Sequence, residues 1–170
     1  METKRRNIAI LINAVEQLSK KYNNFRIIII GRGELSMLPK PIRKYFDIRG
    51  RVPFPDMYKA IEDADFFLPL FDPENKEHDR YLTQGTSGSF QLIYGFLKPC
   101  LIQKKFAEAY NFNVNNSIVY EKNVNLYDSM VTAINMTQVE YKAMQDSLSL
   151  LVKSIEKESK ENLDNIFNKV

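Results

Sequence analysis

Apolar residues recur along this chain at helical spacing in some stretches and as short unbroken runs in others. Ile8, Leu11, Ile12, Val15 and Leu18 share one helical face, and Asn23-Asn24 ends that helix. The next segment, Phe25-Arg26-Ile27-Ile28-Ile29-Ile30, is rich in β-branched residues and stops at Gly31-Arg32-Gly33. Apolar on both faces, it predicts a buried parallel strand. Pro39 and Pro41 punctuate a short helix near residues 42–45, and Phe46-Asp47-Ile48 reads as a short strand ending at Gly50. Pro53 and Pro55 introduce a helix with Met57, Ala60, Ile61 and Ala64 on one face. Phe66-Phe67-Leu68-Pro69-Leu70 is the next strand, and a polar loop over residues 72–84 follows it. Phe90, Ile93, Tyr94 and Leu97 mark a further helix, and Pro99-Cys100-Leu101-Ile102 a further strand. A short helix around residues 106–110 precedes a strand at Ser117-Ile118-Val119-Tyr120. Tyr127, Met130, Val131 and Ile134 define one more helix. The last helix carries Met144, Leu148, Leu151 and Ile155, and Thr137 with Glu140 forms its capping box. Residues 156–160 are highly charged and read as solvated.

Helices alternating with short apolar strands predict an α/β fold, a Rossmann-like open parallel sheet flanked by helices on both faces. Residues 1–136 form that domain, and residues 137–170 are a helical extension packing on it. Ligands of such sheets bind at the carboxyl ends of the strands. Four segments therefore belong on one edge: Gly31-Arg32-Gly33, Gly50-Arg51-Val52, the 72–84 loop and the loop at 85–89.

Composition narrows the function classes. With 44% hydrophobic and 26% charged residues, the 170-residue chain has the make-up of a globular domain with a substantial core. A net charge of +3 without a basic stripe interleaved with aromatics gives no reason to expect nucleic acid. The lone Cys100 excludes a disulfide within the chain and points to a reducing, cytoplasmic compartment. His78 is also alone, so no structural zinc site is expected, and no metal-binding Asp-x-Asp triplet is present. Lys4-Arg5-Arg6 ahead of an apolar run resembles a signal sequence, but Asn13 and Glu16 interrupt that run. No segment has the length to span a membrane.

The candidate chemistry lies in Gly85-Thr86-Ser87-Gly88-Ser89, a small, hydroxyl-rich loop that runs directly into the helix at Phe90. Small residues let the backbone approach a ligand closely. The first N–H groups of a helix have no internal partner and sit at the positive end of its dipole, so they attract phosphate. The alternative is a serine N-cap on a core helix. Position favours phosphate, because the loop lies on the ligand edge of the sheet.

The order of these motifs resembles the carboxy-terminal, donor-binding domain of GT-B glycosyltransferases, especially the retaining "family four" group. That family shows a basic residue opening a helix, a strand ending Gly-x-Gly, a Gly-Arg-Val turn, an Ala-Asp-hydrophobic strand, a small-residue loop and a Lys-Pro. Here Arg6-Asn7-Ile8, Ile30-Gly31-Arg32-Gly33, Gly50-Arg51-Val52, Ala64-Asp65-Phe66-Phe67, Ser87-Gly88-Ser89 and Lys98-Pro99 stand in that order. The match runs from about Arg5 to Ile134.

The resemblance implies transfer of a sugar from a nucleotide-diphosphate donor to an acceptor hydroxyl, of the kind used in bacterial surface polysaccharide synthesis. It implies no metal and no further cofactor. Arg6 would stabilise the leaving diphosphate, while Thr86, Ser87, Gly88, Ser89, Arg32 and Gly33 would bind the donor. Arg51 and Val52 would meet the base. Glu74, His78, Asp79 and Arg80 are candidates for the sugar pocket or for contact with the acceptor domain. The family's ribose-binding Glu is replaced by Leu92, with Gln91 beside it as a substitute, and its helix-opening Lys by Arg6. The family's first strand of this domain and its amino-terminal acceptor-binding domain have no counterpart, as in a truncated chain or an interrupted reading frame. Such a chain would bind its donor weakly, turn nothing over alone, and leave a sheet edge free to recruit a partner. In the full enzyme, membrane contact would come through the other half. Two other readings stand beside this one: a nucleotide-sugar epimerase fragment resting on His78 and its acidic neighbours, and a non-catalytic Rossmann-like binding module.

Overall fold

The computed structural model describes residues 6–31, 38–83, 85 and 87–167. The first helix, α1 (Ile8–Leu18), is capped by Asn7, whose side-chain oxygen accepts from the Ile10 N–H. It buries Ile8, Leu11, Ala14, Val15 and Leu18. Ile12, expected on that face, is only half-buried. Strand β1 (Ile27–Ile30) pairs in parallel with β2 (Phe46–Gly50), which follows a 3-10 helix over Lys40–Tyr45. Gly31 donates its N–H to the Gly50 carbonyl at 2.8 Å, and Gly50 turns with φ 66°, a conformation that side chains resist. Helix α2 (Phe54–Asp63) then leads to residues 66–68.

The expected strand over 66–70 is reduced to one parallel bridge, Phe67 to Cys100. Pro69 lacks a donor, and Leu70 takes φ 53°, so the chain leaves extended geometry at once. The polar run from residue 72 contains helical turns that its composition did not announce. Asn75 accepts from the Glu77 N–H to start a 3-10 turn at Lys76–His78, and α3 (Arg80–Thr83) follows. Helix α4 (Gly88–Phe96), strand β3 (Leu101–Gln103), helix α5 (Lys104–Ala109) and strand β4 (Ile118–Tyr120) come next, with β3 and β4 parallel. Helices α6 (Leu126–Asn135) and α7 (Gln138–Phe167) complete the chain.

The fold is mixed α/β, but the expected open sheet is divided. Among the described residues, β1 and β2 form one two-stranded sheet and β3 and β4 another, with Phe67 bridging onto the second. The second sheet lies between two apolar layers. Leu101, Ile118 and Tyr120 face α1 and α6, whereas Cys100 and Ile102 face Phe90, Ile93 and Phe106 on α4 and α5. This alternation is the two-residue period of a strand covered on both faces. Helix α7 contributes Met144 to the first layer and Leu148 to the second. The expected capping box is present: the Thr137 hydroxyl donates to the Glu140 carboxylate at 2.6 Å, and the Glu140 N–H donates back at 3.3 Å.

Burial of phenols gives a pH expectation. The Tyr141 hydroxyl donates to the Asp65 carbonyl at 2.6 Å. Burial, and then the Asp65 charge, raise its pKa from 10.0 to about 12. The unfolded phenol ionises first, so this contribution is complete below the unfolded pKa and is lost as pH rises towards the folded one. Denaturant midpoints should therefore fall between about pH 10 and 12. Tyr141→Phe should flatten that slope, and an unchanged slope would contradict the assignment.

Candidate functional site

Three chain segments meet beside the amino end of α1. The Arg6 guanidinium donates to Ser89 Oγ at 3.0 Å. Its carbon lies 4.5 Å from the centroid of the Phe71 ring, a cation–π seat that fixes the charge laterally. Next to it, Asn7 donates its backbone N–H to the Leu70 carbonyl at 3.0 Å and its side-chain amide to Asp72 Oδ2 at 2.6 Å. The start of α1 is thus tied to the end of the 66–70 segment and to the start of α4. Arg6 is separated from Ser89 by 83 positions in the chain, and the fold brings them into hydrogen-bond contact.

Ser87 begins α4 as an N-cap. It is buried, and its Oγ accepts from the Ser89 N–H at 3.2 Å. That bond uses one of the donors expected to face phosphate. Gly88 is exposed, and a Cβ placed there would meet nothing within 4 Å, so its backbone is open to a ligand. Behind the loop, the Tyr110 hydroxyl donates to the Tyr81 carbonyl at 2.5 Å, with the Gly85 carbonyl at 3.0 Å. Phe90 stacks on Tyr110 with ring centroids 3.8 Å apart. The aromatic layer therefore holds the loop from below.

The remaining candidates divide. Arg6, Ser89 and Leu92 line a cavity of about 950 Å³, whereas Gln91 does not line it. Helical phase explains this, because Ser89 and Leu92 are three residues apart and share a face that Gln91 leaves. Arg51 is exposed and Val52 half-buried just beyond β2, and neither lines that cavity. Arg32, Gly33 and Thr86 lie outside the described residues. His78 is 1% exposed, with ring contacts to Phe71, Tyr81 and Phe106. The Asp72 N–H donates to its Nδ1 at 2.9 Å. Glu74, Asp79 and Arg80 are exposed, and Arg80 donates to the Tyr81 hydroxyl at 2.6 Å. Lys98 donates to the Glu62 and Ala64 carbonyls at 2.7 and 2.6 Å, closing the carboxyl end of α2.

Two residues of this neighbourhood escaped the sequence reading. Phe71 ends an apolar run and looks like ordinary core, yet it carries Arg6. The Tyr120 hydroxyl is buried without a hydrogen-bond partner among the described residues. Burial, then the Asp72 charge, push its pKa up. Its place at the carboxyl end of β4 was the available signal.

Among the described residues, no group of three His, Cys, Asp or Glu gathers to hold a metal, and no helix is long and apolar enough to cross a membrane. No protein-family model matches this chain, and no curated protein matches its sequence.

Proposed function

We propose that this chain is the donor-binding half of a GT-B glycosyltransferase, with a Rossmann-like domain that holds a nucleotide-diphosphate sugar. The supporting observation is the Arg6–Ser89 contact at 3.0 Å, which sets a cation beside the small-residue start of α4. When the sugar–oxygen bond breaks, negative charge grows on the departing diphosphate. A fixed guanidinium and backbone dipoles stabilise that charge without reorganising. Arginine suits the task because its planar fork stays charged and can engage two phosphate oxygens. Phe71 holds the fork in place before the donor arrives. The acceptor would be held by an amino-terminal domain, so this half by itself binds the donor without turning it over.

A second reading, a non-catalytic binding module, draws on the Ser87 cap, which explains a serine there without any ligand. The epimerase reading loses its support, since His78 is packed among aromatic rings. Serine substitutions separate the first two. On the donor-site account, Ser89→Ala weakens binding of a nucleoside diphosphate by about fivefold, the worth of one hydrogen bond, with an unchanged circular dichroism spectrum. Ser87→Ala chiefly costs stability, about 1 kcal/mol for the lost cap. Nucleotide affinity that ignores Ser89→Ala, or no affinity in the parent chain, favours the module.

A further inference from the structure

Charge is distributed unevenly along this chain. Residues 17–46 carry seven of its 24 lysines and arginines but one of its 21 aspartates and glutamates. A chain of net charge +3 is therefore acidic outside that stretch. The fold gathers these cations in one place. The turn after α1 lies against the 3-10 helix over Lys40–Tyr45. The Tyr45 hydroxyl donates to the Tyr22 carbonyl at 3.3 Å, and the Phe25 and Tyr45 rings stack with centroids 4.6 Å apart. Ile42 and Tyr45 join Leu18 in one apolar layer. Strands β1 and β2 begin directly after these two segments, so the face they build is the amino edge of the first sheet.

Six cations stand exposed there: Lys20, Lys21, Arg26, Lys40, Arg43 and Lys44. Among the described residues, none of the six forms an ion pair. Asp47 is taken by Arg49 at 2.9 Å, and Glu16, one turn before Lys20, is a single carboxylate. A helix carboxyl end favours Lys20 and Lys21. It does not account for Arg26, which precedes a strand, or for Lys40, which opens the 3-10 helix. Six like charges on one edge repel one another, and an anionic partner relieves that repulsion.

Three features identify the partner. No ring is exposed to stack a nucleobase, because Tyr45 is buried, Tyr22 and Phe25 are half-buried, and Lys44 lies 5.0 Å from the Tyr45 centroid. Among the described residues, no exposed large hydrophobic falls within 17–46. The face thus lacks the apolar anchor of a protein interface, a setting in which lysine is also depleted. Four of the six cations are lysines, compact charges on flexible stems that suit a diffuse field of phosphates better than one bidentate site.

We propose that this edge adsorbs to an anionic lipid surface through its phosphate headgroups, by charge and without insertion. The sequence reading left membrane contact to the other half of the enzyme, because two separated segments build the face and neither is a basic stripe by itself. Arg6 and this edge lie at opposite ends of α1, whose 11 residues span about 16 Å, so the inference does not rest on the donor-site reading.

The test measures co-sedimentation of the full chain with phosphatidylcholine vesicles, with and without phosphatidylglycerol. Only the anionic vesicles should bind, and about 1 M salt, with a Debye length of about 3 Å, should release the protein. Lys20→Gln, Lys21→Gln and Lys40→Gln together should weaken partitioning by about 100-fold, roughly fivefold for each cation near the surface, with an unchanged circular dichroism spectrum. Removing the same charge from α7, as Lys142→Gln, Lys153→Gln and Lys157→Gln, should change it by less than about threefold. Binding to neutral vesicles, no binding to anionic ones, or equal loss in the two triple variants overturns the proposal. Release from anionic vesicles by a single-stranded oligonucleotide at equal phosphate concentration also overturns it, and makes nucleic acid the occupant. Nucleotide titration without lipid is read independently, so failure of one account leaves the other standing.

Discussion

Replacing Phe90 by alanine should destabilise this protein by about 3–5 kcal/mol, a large part of the roughly 5–15 kcal/mol that holds a domain together. Phe90 is 0% exposed. It stacks on Tyr110 and lies 5.3 Å from Phe71 between ring centroids. Truncation removes the transfer energy of the ring and leaves a cavity beside Phe71, Tyr110 and Phe112 that they cannot simply collapse into, because Phe71 also packs on Phe106 and Phe112 on Tyr94. Tm should fall by about 10 °C or more. The exposed Phe54 gives the contrast: Phe54→Ala should shift stability by no more than about 0.5 kcal/mol. Chemical denaturation of both variants checks this. A small effect at Phe90 would mean that the aromatic layer under α4 is not packed as described.

Arg6→Ala should weaken nucleoside-diphosphate binding by about 10- to 100-fold, because charge-assisted hydrogen bonds are each worth about 1.5–3 kcal/mol. The fold should survive, since the Arg6 side chain is half-buried and its seat on Phe71 contributes only about 0.5–1 kcal/mol. Arg6→Lys should fall between the two, keeping charge and losing the fork. Calorimetric titration with circular dichroism as the fold control measures both. Binding unchanged in Arg6→Ala would remove Arg6 from the donor site.

Much of the fold was legible because its signals are local. The 3.6-residue period of Ile8, Leu11, Val15 and Leu18 set α1, and Thr137 with Glu140 set the start of α7 through adjacent hydrogen bonds. Strand β1 followed from a β-branched run ended by Gly31, and β2 from the short Phe46-Asp47-Ile48 segment ending at Gly50. The 66–70 run was harder. Its apolar character says buried, but strand length depends on neighbours, and among the described residues only Cys100 pairs with it. Sheet continuity is likewise a property of spatial neighbours, so the alternation of elements implied one sheet where the described residues form two.

The candidate site shows the same division. The sequence located the start of α4 and the start of α1 as basic and hydroxyl-bearing ends, and the fold brings Arg6 to Ser89. It did not separate the two uses of Ser87, because an N-cap and a phosphate loop ask for the same small hydroxyl residue. Nor did it distinguish Leu92 from Gln91 as the residue facing the cavity, although the i, i+3 relation to Ser89 carried that information. His78 looked chemical because it is polar and sits in a charged run. Its burial comes from Phe71, Tyr81 and Phe106, residues distributed over three segments.

The central claim is that a nucleotide binds where the starts of α1 and α4 meet, at Arg6 and Ser89. A ¹⁵N NMR titration of the chain with UDP, GDP, ADP and CMP tests it most directly, since NMR detects weak, saturable binding and locates it. The account predicts saturable shifts at Arg6, Arg51, Val52, Ser87, Gly88 and Ser89 with one nucleoside diphosphate, and weaker shifts with CMP, which lacks the second phosphate. A well-dispersed spectrum that no nucleotide perturbs, or shifts confined to residues away from Arg6 and Ser89, would contradict it.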